Sequence, residues 1–411
     1  MRSPLGPQLT LRFRAATADI PVSYAPDQGL PPLRVAGLFA GIAGIEVGLH
    51  ATGHSTSLLC EIEPAAQAVL HRHFPGVRLE SDIRQLPRLP DVDLVSAGFP
   101  CQDLSQAGRT RGIGGSRSGL VDDVFELLRT SDPQWLLLEN VPFMLQLERG
   151  HAMRYLTDKL GELGFRWAYR VVDARAFGLP QRRQRVLLLA SRSKDPASVL
   201  YADEAGEPDE RGAGALAYGF YWTEGLRGLG WAVDAVPTLK GGSAIGIPSA
   251  PAVWMPDGFV GTPDIRDAER LQGFPPDWTA IEPGGARVLG ARWKMVGNAV
   301  SVPVARWIGE RLRRPGAVVA GEGRPLRTAD PWPRAAQGSG TKAMAVDISI
   351  WPEQKPYKHL SEFLAYPLKP LSVRAAEGFL GRAARSTLHF PDGFLDAIRA
   401  HVRSMGEKPA A

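Results

Sequence analysis

The stretch Arg34–Gly53 reads RVAGLFAGIAGIEVGLHATG. A short apolar run passes through a glycine-rich turn, Gly41-Ile-Ala-Gly44, into a helical pattern. Strand, tight turn and helix open a βαβ unit, and glycines there let a ligand approach the backbone at the helix N-terminus. A tight turn needed only for packing is the plainer reading. The spacing does not fit G-x-G-x-x-G, which disfavours a nicotinamide-dependent oxidoreductase. Outward from this stretch the alternation continues: SLLC, then PAAQAVLHRHF; DLVSAG; GLVDDVFELLRT; WLLLEN; MRYLTDKLGELG; FRWAYRVVDA; RVLLLA. Short apolar runs between amphipathic segments indicate a parallel sheet buried on both faces. The expected class is α/β, a doubly wound sheet with a smaller, loop-rich second domain.

The chain has 411 residues and 44% hydrophobic composition, enough for a large core and more than one domain. Residues 1–33 read as an N-terminal arm and 34–191 as the α/β domain. Residues 192–262, full of Gly, Pro, Trp and Asp, read as the small domain. Helical pattern returns within 263–313, residues 314–340 have linker composition, and 341–411 regain aromatics as a small helical accessory module. Lys and Arg number 48 against 43 Asp and Glu, a net charge of +5, which favours nucleic acid only modestly. Cys60 and Cys101 are the only cysteines, so a disulfide scaffold and a Cys-rich zinc site are excluded, and a reducing compartment fits. No signal-type apolar core and no apolar run of about eighteen residues occurs, so a cytoplasmic location without membrane contact is expected.

Candidate site residues fall at strand ends. Glu61 follows the second strand, where ribose hydroxyls bind in such folds, and Ile62 is placed to pack on an adenine face. Ser81-Asp82-Ile83 offers a second acid. Each acid alone is more often a solvated loop residue; the three features in this order favour a nucleoside ligand. Gly98-Phe-Pro-Cys101-Gln-Asp-Leu-Ser105 follows the strand DLVSA, which puts a free thiol where ligands bind in open α/β sheets. A thiol is mostly protonated at neutral pH, and Arg109 and Arg111 would help ionise it. The alternative, a small buried hydrophobe, fits a strand end beside proline poorly. Glu139 follows four apolar residues; desolvation would raise its pKa and suit it to proton donation, with a helix N-cap as the alternative. Arg183 and Arg185 alternate on an entering strand and so share a face, suited to a carbonyl oxygen or a phosphate, unless they are a solvated basic loop.

The ordered set F-A-G-I-A-G, Glu61, Asp82-Ile83, G-F-P-C-Q at 98–102, E-N-V at 139–141, Q-R-R-Q-R at 181–185, R-L-Q-G-F-P at 270–275 and G-N-A-V at 297–300 resembles the cytosine-5 DNA methyltransferase family. The resemblance covers roughly 34–313; Ala43 departs from it, standing where the family usually has glycine. It implies a Rossmann-like methyltransferase sheet and S-adenosyl-L-methionine as cofactor, with no metal. Cys101 would be the nucleophile, Glu139 would hold N3 and the amino group of cytosine, Arg185 would bind O2, and Arg183 would support the site. Phe39, Gly41, Gly44, Glu61, Ile62, Asp82, Ile83, Pro100 and Asn298 would surround the cofactor, with Asn140 and Gln181 as supports.

The resemblance also implies sequence-specific methylation of duplex DNA, base flipping, a restriction-modification setting and a monomer on DNA. Gln102, Ser105, Arg109, Arg111, Arg117, Arg227, Thr238 and Lys240 are the expected DNA contacts. The segment 106–119, basic and glycine-rich, is expected to close over DNA, and 192–262 to read the target sequence. Two other readings compete: an RNA cytosine methyltransferase of the same fold, whose Cys-Phe-Thr signature is missing, and a non-catalytic DNA-binding protein, which would lack the thiol or the acid.

Overall fold

The computed structural model describes residues 29–99, 119–208, 216–242, 250–281, 285–321, 323–340, 342–356 and 358–406. The strands β1 (Arg34–Leu38), β2 (Ser55–Cys60), β3 (Arg78–Glu80), β4 (Leu94–Ala97) and β5 (Trp135–Asn140) run parallel in the order β3-β2-β1-β4-β5. β4 and β5 are buried along their whole length, which is why they read as unbroken apolar runs rather than as alternation. Helices α1 (Gly44–His50), α2 (Pro64–His73), α3 (Leu120–Thr130) and α4 (His151–Glu162) lie along the chain between these strands and after β5. The order reverses between β1 and β4, so their carboxyl ends flank the crevice where open α/β sheets take ligands.

Past β5 the sheet changes direction. β6 (Arg166–Asp173) is followed by the two-residue β7 (Gln181–Arg182), then by β8 (Gln184–Ser191), which inserts antiparallel between β5 and β6. This places the start of β8 beside the carboxyl end of β5, with Asn140 opposite Val186.

Residues 192–262 hold more regular structure than their composition suggests. After α5 (Ala197–Leu200) come β9 (Tyr218–Phe220), β10 (Trp231–Val233), β11 (Val236–Pro237), β12 (Ala252–Trp254) and β13 (Val260–Thr262). β9, β10, β12 and β13 form an antiparallel sheet, while β11 pairs in parallel with β7 and ties the small domain to the α/β domain. Strands of two or three residues between glycines and prolines are too short to carry a period. Helices α6 (Ile265–Leu271), α7 (Ala286–Asn298) and α8 (Val302–Arg313) follow, and α8 returns to pack on α1.

The C-terminal part departs from expectation. Within 314–340 lie β14 (Arg324–Pro325) and β15 (Ala335–Ser339), and β15 pairs antiparallel with β6; β16 (Lys342–Ala345) extends the same sheet, to ten strands in all. This is sheet edge, not free linker: the open side of β6 supplies the hydrogen-bond partners. After α9 (Leu360–Phe363), β17 (Lys369–Pro370) joins the small sheet through β13, and α10 (Val373–Ala383) and α11 (Phe394–Gly406) cover it. Phe379 and Phe394 are fully buried against Phe220, with ring centroids 4.8 and 5.1 Å from it. The tail therefore completes the small domain's core and does not stand as a separate module. Two carboxylates fasten it: Asp234 accepts from Leu360 N at 2.8 Å and faces His359 Nδ1 at 2.6 Å, and the fully buried Asp267 accepts from Ala365 N and Tyr366 N, each at 3.0 Å.

One carboxyl lies inside the main sheet's packing. Glu46 on α1 is 1% exposed and accepts a hydrogen bond from Ser96 Oγ at 2.8 Å. Desolvation pushes its pKa up from the ordinary 4.5 to about 7, against the pull of the Ser96 bond.

Two stability measurements follow. Phe379→Ala removes a fully buried ring and should cost about 3–5 kcal/mol in urea unfolding; a loss under about 1 kcal/mol would show that the tail helices do not build the core. For Glu46 the folded value lies above the unfolded one. Its stabilising contribution is therefore complete below pH 4.5 and lost as pH rises through about 7. Glu46→Gln should thus gain on wild type by about 3 kcal/mol between those limits and stay level beyond them. A difference that does not change with pH would contradict the burial argument.

Candidate active site

The first wall of the crevice is the turn after β1. Phe39 and Gly41 have left-handed backbones, with φ of 54° and 55°. A Cβ built on Gly41 would meet nothing within 4 Å, so the turn faces open space. Its N–H donates to Glu61 Oε2 at 2.8 Å, and Glu61 Oε1 accepts from Glu63 N at 2.8 Å. Glu61 is thus held rigidly at the tip of β2, with lone pairs left over. Ile62 beside it is 60% exposed, an apolar face in an otherwise polar turn. Asp82 is chelated by Arg84 at 2.6–3.1 Å, which holds its carboxyl below the usual range. This set suits a nucleoside: fixed carboxylates for hydroxyl or amino groups, an exposed aliphatic face for a base, and a glycine that keeps the backbone open.

Three of the expected cofactor residues have other surroundings. Ile83 has its side chain in the main core, and its carbonyl accepts from Leu86 N at 3.1 Å. Gly44 packs α1 against Val300, whose oxygen would lie 2.2 Å from an added Cβ. Asn298, exposed at the end of α7, has its amide against Gly241 of the small domain. Ala43 also adopts a left-handed φ of 66°. That strain, about 1–2 kcal/mol, is partly offset by about 0.8 kcal/mol for its buried methyl, so alanine is tolerated where glycine would relax the turn.

The second wall is built on β4, β5 and β8. Glu139, 7% exposed, ends β5, and the reversed direction of β8 brings Arg185 Nε to 2.8 Å from Glu139 Oε1. The contact is an ion pair between a guanidinium and a carboxylate, both largely buried. Burial acts against the Arg185 charge, and Glu139 offsets this. Asn140 Nδ2 donates to Phe99 O at 3.0 Å, and its Oδ1 accepts from Val141 N at 2.8 Å, which fixes the end of β4 to the end of β5. Gly98 lies beside the acid: a Cβ there would stand 3.6 Å from Glu139 Oε2. Pro100, Cys101, Gln102, Ser105, Arg109, Arg111 and Arg117 lie outside the described residues.

Arg183 and Arg185 interact electrostatically, yet their partners differ. Arg183 is 1% exposed, and its guanidinium donates to Leu239 O at 2.9 Å, to Ala299 O at 2.6 Å and to Gly297 O at 3.3 Å. It brackets the small domain to the α7–α8 junction. Gln181 does the same work nearby, accepting from Leu239 N at 3.0 Å and donating to Leu271 O at 2.8 Å.

At the rim, Thr238 Oγ1 donates to Arg182 O at 2.8 Å, and Lys240 Nζ lies 3.3 Å from Glu224 and 4.1 Å from the Tyr221 ring centroid. Tyr221 donates to Thr238 O at 2.6 Å, and burial pushes its phenol up to about 12. The sequence analysis missed Tyr221 and Glu224, which no motif marks; only the fold brings them to Lys240. Nothing is assigned to the side chain of Arg227.

Arg183→Ala leaves three buried carbonyls without a donor and should cost about 3 kcal/mol or more. Urea unfolding would check it, and a cost under about 1 kcal/mol would show that the bracket does not hold the two domains together.

The comparisons agree with this geometry. The family model for C-5 cytosine-specific DNA methylase matches residues 33–212 and 264–314. The chain is 55% identical over 380 residues to the type II methyltransferase M2.BsuMI of Bacillus subtilis, covering 89% of this chain and 97% of that one. That likeness runs on into the C-terminal part beyond the family model. Type II methyltransferase M.NlaX of Neisseria lactamica is 29% identical over 314 residues, covering 68% of this chain and 96% of its own. Among solved structures, the S. pombe Dnmt2 methyltransferase superposes with a TM-score of 0.50 at 16% identity, over 68% of this chain and 98% of its own, which is a likeness of fold. Sheet order, the glycine turn, the strand-end acid and these matches lead to one conclusion: the chain belongs to the C-5 cytosine-specific DNA methylase family.

Proposed function

We propose that this chain transfers a methyl group from S-adenosyl-L-methionine to C5 of a specific cytosine extruded from duplex DNA, with Cys101 as the covalent nucleophile. The observation that carries the site assignment is the buried Glu139–Arg185 ion pair, an acid and a cation 2.8 Å apart at neighbouring strand ends of the crevice. Both groups keep hydrogen-bonding capacity beyond this one contact. A cytosine at the crevice uses it: its amino group donates to the carboxylate, and its O2 accepts from Arg185.

The residues of the first wall fit the cofactor. Glu61 and Asp82 take hydroxyl and amino groups, Ile62 lies under the base, and the open backbone at Gly41 leaves room for the methionine part. When bound, the cofactor supplies the methyl group on a sulfonium. The protein's part is orientation and charge. The Cys101 thiolate adds to C6, and a proton passed to N3 by Glu139 neutralises the negative charge that develops there, so C5 becomes nucleophilic. After methylation, loss of the C5 proton and departure of Cys101 restore the ring. Thr238 and Lys240 serve as DNA contacts in this reading; their contacts to Tyr221 and Glu224 support it by fixing their positions. Action as a monomer in the cytoplasm, within a restriction-modification system, completes the proposal.

A duplex containing 5-fluorocytosine, incubated with cofactor, should trap a covalent adduct that Cys101→Ser cannot form. Bisulfite sequencing of DNA from a host expressing the wild-type chain should reveal methylated cytosines at one short sequence, and none with the serine variant. Glu139→Gln should lower kcat by about 10²-fold or more. No adduct from folded wild-type protein, or full activity of Cys101→Ser, would end the proposal.

A further inference from the structure

We propose that Glu46 is a positioning residue that couples the cofactor turn to the pyrimidine pocket, through Ser96 and β4. The inference rests on the reading of the two walls given above. Its basis is where the carboxyl sits. β1 and β4 pair in parallel with Gly37 opposite Ser96. Glu46 Oε1 accepts from Ser96 Oγ at 2.8 Å, and a Cβ on Gly37 would stand only 2.3 Å from that same oxygen. The carboxyl therefore lies on this one rung of the ladder, and Gly37 leaves the space it fills. The rung comes two residues before Phe39 on one strand and two before Gly98 on the other. Those two strand ends are the two sides of the crevice.

Each end continues into a different half of the site. Beyond Phe39, the Gly41 N–H is fixed on Glu61. Beyond Ser96, Gly98 lies against Glu139, and Phe99 O accepts from Asn140. Glu46 itself belongs to α1, the helix that starts at the glycine turn. One side chain thus joins the cofactor helix to the strand that carries the base-binding end.

Packing does not account for a carboxyl here. Glu46 Oε2 is buried with no hydrogen-bond partner, and the carboxyl's pKa of about 7 reflects the cost of desolvation. An aliphatic side chain would fill the space without that cost. What the carboxyl adds is a directional bond to Ser96, fixing helix and strand in one relative position. Small displacements of reacting groups have large kinetic effects.

The test compares Glu46→Leu, Glu46→Gln and Ser96→Ala in the full chain, with active sites counted by 5-fluorocytosine adduct formation. Glu46→Leu should fold, yet turn over about tenfold more slowly per counted site, with KM for DNA unchanged. Glu46→Gln, whose amide oxygen still accepts from Ser96, should recover most of that rate. Ser96→Ala, which removes only the donor, should repeat the leucine defect and decides the matter if the leucine variant does not fold. A merely structural role would lower the unfolding midpoint and the number of active sites together, leaving the rate per site unchanged. Per-site rates within about twofold of wild type for Glu46→Leu, or for Ser96→Ala where that variant decides, would overturn the inference. A wild-type chain that forms no adduct would overturn the parent reading and this one with it; a wild type that forms it, beside unaffected variants, would overturn only the role of Glu46.

Discussion

The reversed strand β8 is the constraint on which the site depends. It lies antiparallel between β5 and β6, so its first residues arrive where β5 ends. Only that direction brings a cation from one strand to within 2.8 Å of an acid at the tip of the other. A parallel strand in the same place would have carried Arg185 to the opposite edge of the sheet. The resulting pair is buried, with its side chains only about a tenth exposed. Such an arrangement is expensive in a fold made only for stability, and useful in one that must bind a polar ring.

Around that pair, buried polar side chains hold the assembly together. Arg183, Gln181 and Gln272 are buried and bond to backbone atoms of the small domain, α6 and α7. Backbone carbonyls at helix ends and loops need donors wherever water is excluded. A guanidinium presents five donors in a fixed planar fork and can serve several carbonyls spread around it, whereas a lysine offers three from a single point. The two arginines of one short motif therefore divide the work: Arg185 faces the acid, and Arg183 secures the frame behind it.

The C-terminal part serves both halves of the molecule. Its hairpin lengthens the main sheet beyond β6, and its helices supply the aromatic core of the small sheet. A sheet of strands only two or three residues long would bury little on its own. The buried Phe379, Phe394 and Ile398 supply the missing apolar area. The dependence is mutual, since Asp234 and Asp267 bind the backbone of the tail where it crosses from one half to the other.

Much of the catalytic half was legible in the sequence. Unbroken apolar runs such as Leu136–Leu138 can only be strands buried on both faces, and a glycine turn, an acid or a thiol directly after such a run must lie at a strand end. Glu61, Glu139 and the Arg183/Arg185 alternation were found on that local basis. Three kinds of feature were not. The small sheet was hidden because its strands are shorter than any measurable period. The added strand β15, rich in alanine and glycine, has no signal of its own and is defined by the open side of β6. The different fates of Arg183 and Arg185, the clustering of Tyr221 and Glu224 around Lys240, and the seat of Glu46 on the Gly37–Ser96 rung depend on residues far apart in the chain. Local sequence determined which groups stand at strand ends, because backbone periodicity is a local property. Which charges meet, and which carboxyl is left without water, was decided by tertiary packing, because desolvation and ion pairing depend on neighbours that only the completed fold brings together.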